Sequence, residues 1–305
     1  MRIGIYGGRE YEKGLDAVLA AAGLAEEQGF ATYWLPQIFG PDALTTLAIV
    51  GREVPRIELG TSVVPTWPRH PMVLAAQALT TQAATGGRLT LGIGLSHQPV
   101  VEGMWGYRFD RPVRHMGEYL TALVPLVREG SASVQGETIT AQGSVRVEGA
   151  DPVPVLVAAL GPKMLDLAGR AADGTITWMT GPRTLRDLTV PTITAAAERA
   201  GRPAPAVVAS LPVCVTDDVA GARERAATIY AVYGQLPSYR AMLDREGADG
   251  PADVALVGDE AALRERLEEL EAAGVTDFAA SEFAGGDDRD RTRAFLRGLL
   301  TPDPD

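Results

Sequence analysis

The chain has 305 residues, of which 46% are hydrophobic and 22% charged, and a formal net charge of −11 at pH 7. The negative charge argues against a nucleic-acid-binding protein, because phosphate contacts need a basic face. The single cysteine, Cys214, excludes an internal disulfide and a cysteine-based metal cluster, and we expect no metal site, since no spaced His/Cys motif is present.

Short apolar segments alternate with helical patterns, beginning with a strand at MRIGIYGG, which is not a signal peptide. The predicted strands are Arg2–Tyr6, Thr32–Leu35, Glu58–Val63, Leu89–Ile93, Val155–Ala159, Thr175–Trp178, Val207–Val213 and Thr276–Ala280. The predicted helices include Leu15–Gln28, Met72–Ala84, Met116–Glu129, Lys163–Ala172, Arg183–Ala200, Val219–Tyr233 and Glu260–Ala273. Eight such strands favour a closed α/β barrel, a (β/α)8 TIM barrel that takes residues 1–305 as one domain. An open doubly wound sheet is the alternative, although no GxGxxG follows the first strand.

Two segments interrupt this rhythm, and the chain end adds a third feature. Ser131–Val147 alternates apolar and polar residues, which predicts a β-hairpin insertion between barrel units four and five. Gln235–Val257 is rich in proline and glycine and predicts an irregular loop, either a lid over the site or a surface excursion. One more helix is expected after Gly285, followed by an irregular Thr-Pro-Asp-Pro-Asp end. No apolar run is long enough for a membrane span, so we expect a cytoplasmic protein without membrane contacts.

The stretch Arg69–His97 carries the clearest signal for a ligand site. Pro71 suits the first turn of a helix, and a Gly-Gly pair ends that helix before the strand Leu89–Ile93. Gly94, Ser96 and His97 follow the strand directly. In parallel α/β folds, ligands bind beyond the carboxyl ends of the strands. His97 could take or deliver a proton near neutral pH, so we predict that it is catalytic; an ordinary polar role is the alternative.

Other strand ends also carry polar or small residues. At Thr61-Ser62-Val63 the hydroxyls either bond local backbone or face a ligand. The run Ala158-Ala159-Leu160-Gly161-Pro162-Lys163 combines a helix start with a lysine, which predicts an anion site if it is more than a plain turn. Aromatic, amide and aliphatic residues near strand ends are the predicted substrate contacts: Tyr6, Gln37, Ile38, Trp67 and Trp178. Trp178 could equally be a core residue.

The segment from Arg69 to His97 closely resembles the bacterial luciferase-like family of flavin and deazaflavin oxidoreductases. The Arg-His-Pro helix start and the Gly-Arg-x-x-Leu-Gly-x-Gly strand are similar to the branch that uses the deazaflavin F420. This resemblance implies a cofactor site at Thr61, Ser62, Val63, Gly94, Ser96, Ala158, Ala159, Leu160, Gly161, Pro162, Lys163 and Met179. It also implies a cis peptide bond at Ser62–Val63 and a cofactor phosphate held by the Ala-Ala-x-Gly-Pro segment.

The second strand departs from the family pattern. Sugar-phosphate dehydrogenating relatives carry an Asp-His pair where this chain has Gln37 and Ile38, and a carboxylic acid where it has His97. Neither Gln37 nor Ile38 can take a proton, so the resemblance implies an F420-dependent reductase of a conjugated C=C, C=N or C=O bond in a small organic substrate. An FMN-dependent two-component monooxygenase and a non-catalytic cofactor-binding protein are the alternatives. The sequence leaves the oligomeric state open, a homodimer included.

Overall fold

The computed structural model describes residues 1–300, and the predicted irregular end at 301–305 lies outside the described residues. The strands within that range are β1 (Arg2–Tyr6), β2 (Thr32–Leu35), β3 (Glu58–Thr61), β4 (Val64–Pro65), β5 (Leu89–Gly94), β6 (Ser131–Gln135), β7 (Thr140–Ser144), β8 (Val155–Ala158), β9 (Gly174–Trp178), β10 (Ala206–Val215), β11 (Leu256–Gly258) and β12 (Asp277–Glu282). The helices are α1 (Gly8–Tyr11), α2 (Leu15–Glu27), α3 (Ala43–Glu53), α4 (Pro71–Thr85), α5 (Gln98–Gly103), α6 (Pro112–Glu129), α7 (Pro162–Ala171), α8 (Pro182–Thr184), α9 (Val190–Arg199), α10 (Val219–Ile229), α11 (Pro237–Glu246), α12 (Pro251–Val254), α13 (Glu260–Ala272) and α14 (Asp287–Arg297). A π-helical turn joins α8 to α9, and a 3-10 turn at Ala231–Gly234 follows α10.

The parallel strands close into a barrel, as predicted. Within residues 1–300, eight of them pair in the cyclic order β1, β2, β3, β5, β8, β9, β10 and β12, and β12 pairs with β1. The closing register places Ile3 opposite Phe278 and Ile5 opposite Ala280. The predicted (β/α)8 architecture is therefore confirmed, and the open doubly wound sheet is excluded.

The third barrel strand is interrupted where it meets β5. Leu59 and Gly60 pair with the start of β5, and Val64 and Pro65 of β4 pair with its end. Between them, the hydroxyl of Thr61 donates to the Gly92 carbonyl at 2.8 Å and accepts from the Gly92 N–H at 2.9 Å. The Thr61 side chain thus replaces the missing ladder hydrogen bonds, in line with the local-backbone role considered for this hydroxyl.

The core has two layers, one inside the barrel and one between strands and helices. The interior layer consists of Trp34, Leu156, Ile176, Val208 and Ala279, all nearly inaccessible to solvent. Trp34 lies against Gly60, where a Cβ atom would be 2.3 Å from the indole ring, so only glycine fits that position. The packed interior leaves the ends of the barrel as the places where a ligand can bind.

A separate two-stranded antiparallel sheet lies between α6 and β8. It pairs β6 with β7, from Ser131 opposite Ser144 to Gln135 opposite Thr140. Thr121 and Pro125 of α6 line a surface depression of about 510 Å³ together with these strands. This depression lies outside the barrel wall, away from the strand ends.

Several regions differ from the sequence-based expectations, among them the unpredicted short helices α1 and α5 and the predicted strand Glu58–Val63, which ends at Thr61. The segment Gln235–Val257, predicted to be an irregular loop, contains α11, α12 and the start of β11, so that prediction is wrong. Pro237 and Pro251 stand in the first turns of these helices, where a proline is tolerated because its missing N–H would have no partner there. Helix α3 was not among the predicted helices, although the Asp42 side chain caps its first turn by accepting from the Thr45 N–H at 2.9 Å.

Candidate active site

The carboxyl ends of the barrel strands open on one face, where six aromatic side chains gather. We call them the mouth cluster, and they are Tyr6, Trp178, Tyr230, Tyr233, Tyr239 and Phe283. Tyr6 ends β1 and Trp178 ends β9, and their rings stack with centroids 5.3 Å apart. The other members come from the segments after α10 and β12. Residues from distant parts of the sequence thus form one aromatic wall.

Contacts between the rings run continuously through the mouth cluster. Tyr230 and Tyr233 each meet Trp178 edge-on, with centroids 5.8 Å apart. Tyr239 of α11 meets Tyr233 at 5.0 Å. Edge-to-face and stacked geometries of this kind are the favoured arrangements of aromatic pairs. The segment after α10 therefore packs on the carboxyl end of β9, and Tyr239 is the member of the mouth cluster that comes from Gln235–Val257, the segment considered as a lid or a surface excursion.

His97 lies beside the mouth cluster. Its ring is 5.7 Å from that of Tyr239, and it occupies the N-cap position of α5 without a side-chain capping bond. Burial lowers the pKa of His97 below its ordinary value, because a poorly solvated site disfavours the imidazolium ion. The neutral imidazole therefore predominates at pH 7, next to apolar rings.

The other two histidines have structural contacts. The Nε2 atom of His115 is 3.1 Å from the Thr66 hydroxyl, and its ring stacks on Trp67 with centroids 3.8 Å apart. Burial lowers the pKa of His115 to about 4. His70 caps α4 and its Nε2 atom is 2.8 Å from the Thr140 carbonyl oxygen of β7. Trp67, a predicted substrate contact, therefore packs against α6, and in residues 1–300 no ring contact joins it to the mouth cluster.

The residues expected at the cofactor differ in accessibility. Thr61, Gly94, Ala159 and Met179 are buried, whereas Ser62, Val63, Ser96, Ala158, Leu160, Gly161, Pro162 and Lys163 are partly or fully exposed. A Cβ atom on Gly94 would come within 2.6 Å of Val63, so this glycine is required by packing against the third strand. The peptide bond between Ser62 and Val63 is cis, as the resemblance implied.

Two non-glycine residues at the barrel mouth have positive φ angles. Ser96, just after β5, has φ of +59°, and Met179, just after β9, has φ of +53°. Left-handed backbone at such residues costs about 1 kcal/mol or more each, and it concentrates at ligand-binding sites. Each of these left-handed residues is the sequence neighbour of a candidate site residue, since Ser96 precedes His97 and Met179 follows Trp178.

Two Gly-Pro helix starts lie on this face, and their surroundings differ. At α8 the carboxylate of Glu246, from α11, accepts from the N–H of Arg183 at 3.1 Å and from the N–H and hydroxyl of Thr184, both at 2.8 Å. At α7 a Cβ atom on Gly161 would meet no atom within 4 Å, and Lys163 is exposed. The start of α8 thus already holds a carboxylate, whereas the start of α7 is open and has a lysine beside it.

The second strand ends without an ionisable group. The amide oxygen of Gln37 accepts the Ala43 N–H at 2.7 Å and so helps to begin α3. Ile38 is 46% exposed, and its N–H donates to the Tyr11 hydroxyl at 3.1 Å. Neither side chain can exchange a proton, and the Gln37 oxygen is already engaged.

Sequence reasoning identified His97 and two members of the mouth cluster, Tyr6 and Trp178, but missed the other four. Tyr230, Tyr233, Tyr239 and Phe283 were not among the candidates. Three tyrosines within the ten residues 230–239 were the available signal. Residues 1–300 contain no group of three His, Cys, Asp or Glu side chains arranged to hold a metal ion, and no helix there could cross a membrane.

A family model described as luciferase-like monooxygenase matches residues 3–277. The chain belongs to the luciferase-like monooxygenase family. A relative in this family, the 5,10-methylenetetrahydromethanopterin reductase of Methanolobus tindarius, is 30% identical over 239 residues, which cover 78% of this chain and 72% of that protein.

Solved structures that align with this luciferase-like chain share its fold. An F420-dependent secondary alcohol dehydrogenase, solved with an F420-acetone adduct, aligns with a TM-score of 0.81 at 19% identity over 98% of both chains. The oxygenating constituent of 3,6-diketocamphane monooxygenase from Pseudomonas putida, solved with FMN, aligns with a TM-score of 0.74 at 16% identity over 97% of this chain and 95% of that one. One fold therefore carries both cofactor types among these proteins.

The contact between Glu246 and α8 predicts how firmly α11 is held. Replacing Glu246 with alanine removes three hydrogen bonds from the helix start, each worth about 1 kcal/mol or more. We expect amide hydrogen exchange in α11 to accelerate by about 100-fold, as measured by mass spectrometry, because about 1.4 kcal/mol corresponds to each factor of ten. Glu265→Ala, an exposed glutamate on α13, is the matched control and should leave α11 unchanged. Equal exchange in the Glu246 variant and the control would refute the anchoring role.

Proposed function

We propose that this chain is an F420-dependent oxidoreductase that transfers a hydride between the deazaflavin and a small organic substrate. Family membership supports an oxidoreductase, and its F420-dependent structural neighbour supports this cofactor. The observation that carries the proposal is the open helix start of α7 on the same face as His97 and the mouth cluster.

The residues at α7 fit a cofactor that carries a phosphate. The helix spans ten residues, so its first N–H groups and its dipole favour an anion, and Lys163 adds a positive charge. The small residues Ala158 and Ala159 stand at the end of β8, four and three residues before the helix begins at Pro162. By contrast, Glu246 already holds the equivalent position on α8. Gly161 and Lys163 are therefore the proposed phosphate ligands, and Ser62, Val63 and Ser96 the proposed contacts of the ring.

The proposed chemistry divides between cofactor and protein. Reduced F420, when bound, supplies the hydride. His97 holds the proton that accompanies the transfer, and the apolar rings beside it exclude water from the reacting groups. Gln37 and Ile38 offer no base for removing an alcohol proton, which favours reduction of a polarised double bond over alcohol oxidation.

Cofactor preference tests the proposal directly. We expect calorimetric titration to give at least tenfold tighter binding of F420 than of FMN, about 1.4 kcal/mol. Lys163→Ala should weaken both cofactors, because both would place a phosphate at α7. Lys13→Ala, at the other lysine of the chain, is the control and should change neither. Equal or tighter FMN binding would overturn the assignment and favour an FMN-dependent two-component monooxygenase.

The lowered pKa of His97 sets the expected pH dependence. If the imidazolium form donates the proton, turnover in the reductive direction should rise as the pH falls through a pKa below 6.5 and level off at lower pH. His97→Asn should lower turnover by about 10²–10⁴-fold and abolish this inflection, while cofactor affinity stays nearly unchanged. His70→Asn, at the N-cap of α4, is the control, because asparagine is also a favourable N-cap residue. Normal turnover of the His97→Asn variant between pH 5 and 9 would exclude His97 from catalysis. Equally slow turnover of the His97→Asn and His70→Asn variants at saturating cofactor would show that the loss in His97→Asn is structural and not catalytic.

A further inference from the structure

The walls of the proposed site are aromatic and uncharged. The rings of Tyr6, Trp178, Tyr233 and Tyr239 are joined by centroid distances between 5.0 and 5.8 Å. Flat rings at these distances present extended faces and edges to a bound molecule. Such walls favour planar ligands, because stacking needs two flat surfaces.

The phenols of this wall stay neutral, as expected for a poorly solvated site. Burial raises the pKa of Tyr6 well above its ordinary value, and it raises the pKa of Tyr230 to about 12. Within residues 1–300, no Lys or Arg side chain lies over a ring of the mouth cluster. The positive charge of Arg9 partly offsets the rise in the pKa of the Tyr230 phenol. Its guanidinium already donates to the Ala284 carbonyl at 2.8 Å. No basic group is therefore placed among the rings to pair with a substrate anion.

The rim of the barrel mouth continues this apolar character. Large hydrophobic side chains at the end of α10 and on the segments after β2, β5 and α10 expose between 46% and 62% of their surface, and they are Ile38, Phe39, Met104, Tyr107, Ile229 and Val232. Charged side chains of both signs, Glu102, Arg108 and Asp110, flank two of them, and Asp110 is paired with Arg111 at 3.4 Å. A substrate that approaches along this rim meets apolar contacts first.

We infer that the substrate is an uncharged, planar conjugated molecule that stacks within the mouth cluster, and that Tyr239 determines this specificity. The inference rests on the proposed function, since it concerns the molecule that accepts or gives the hydride. Tyr239 contacts both His97 and Tyr233, so a ring stacked on it lies next to the proposed proton donor. A phosphate or carboxylate on the substrate would lose its hydration without gaining a partner.

The charge requirement is tested with two probes of nearly equal shape. Benzylideneacetone is a neutral planar enone, and trans-cinnamate carries a carboxylate where the ketone has its acetyl group. Calorimetric titration of the wild-type protein should show the enone binding about 100-fold more tightly than cinnamate. Cinnamate binding as tightly as the enone, or no binding of the enone, would overturn the inference.

Variants at Tyr239 test the stacking requirement. Tyr239→Leu should weaken enone binding about three- to tenfold, and Tyr239→Phe should restore it to within about twofold, because the phenylalanine retains the ring. Equal affinity of the leucine and phenylalanine variants would exclude Tyr239 as the determinant. Turnover of the enone with reduced F420 is measured separately. Tight enone binding without turnover contradicts the proposed function and leaves the substrate class supported. Turnover of cinnamate with reduced F420 at an efficiency equal to that of the enone supports the proposed function and contradicts the substrate class.

Discussion

Closure of the barrel by the pairing of β1 with β12 is the constraint on which the site depends. Strand ends that are hundreds of residues apart in sequence reach one face only because the first and last strands are hydrogen-bonded. Tyr6 and Phe283 belong to these two strands or follow them directly. The parallel direction of every barrel pair sends the ends of the other barrel strands to the same face, and with them Trp178 and His97.

The same face combines two environments that a hydride-transfer site needs. On one side, the start of α7 offers backbone donors and the charge of Lys163 to an anion. On the other, buried rings lower the pKa of His97 and keep the tyrosine phenols neutral. Glu246 keeps the start of α8 occupied, so that the start of α7 is the open helix start on this face. The same contact ties α11 to the barrel. In the proposed function, this division would give an anionic cofactor a local binding point on a chain of net charge −11, without placing cations at the substrate.

Much of the barrel could be predicted because its strands are short apolar runs bounded by glycines and polar residues. The predicted Arg2–Tyr6 and Thr32–Leu35 coincide with β1 and β2, and the predicted Leu89–Ile93 lacks only Gly94. The interruption between β3 and β4 could not be derived from periodicity, since the Thr61 hydroxyl replaces ladder bonds that the sequence pattern does not reveal.

The covering half of the site was harder to predict. Tyr230, Tyr233 and Tyr239 follow neither a helical nor a strand period, because they extend from a helix end through a 3-10 turn into α11. Their common role depends on tertiary contacts with Trp178, which no local pattern encodes. Trp67 shows the converse: an aromatic residue after a barrel strand packs against α6 and His115.

A crystal structure of the protein with bound F420 tests the central claim most directly. The account predicts that the cofactor phosphate contacts the backbone N–H groups of Gly161 and Lys163, with the deazaflavin ring between the Ser62–Val63 segment and His97. Glu246 should remain bound to the N–H groups of Arg183 and Thr184. A phosphate at the start of α8 in place of the Glu246 carboxylate, or a ring that lies outside the barrel mouth, would contradict the account.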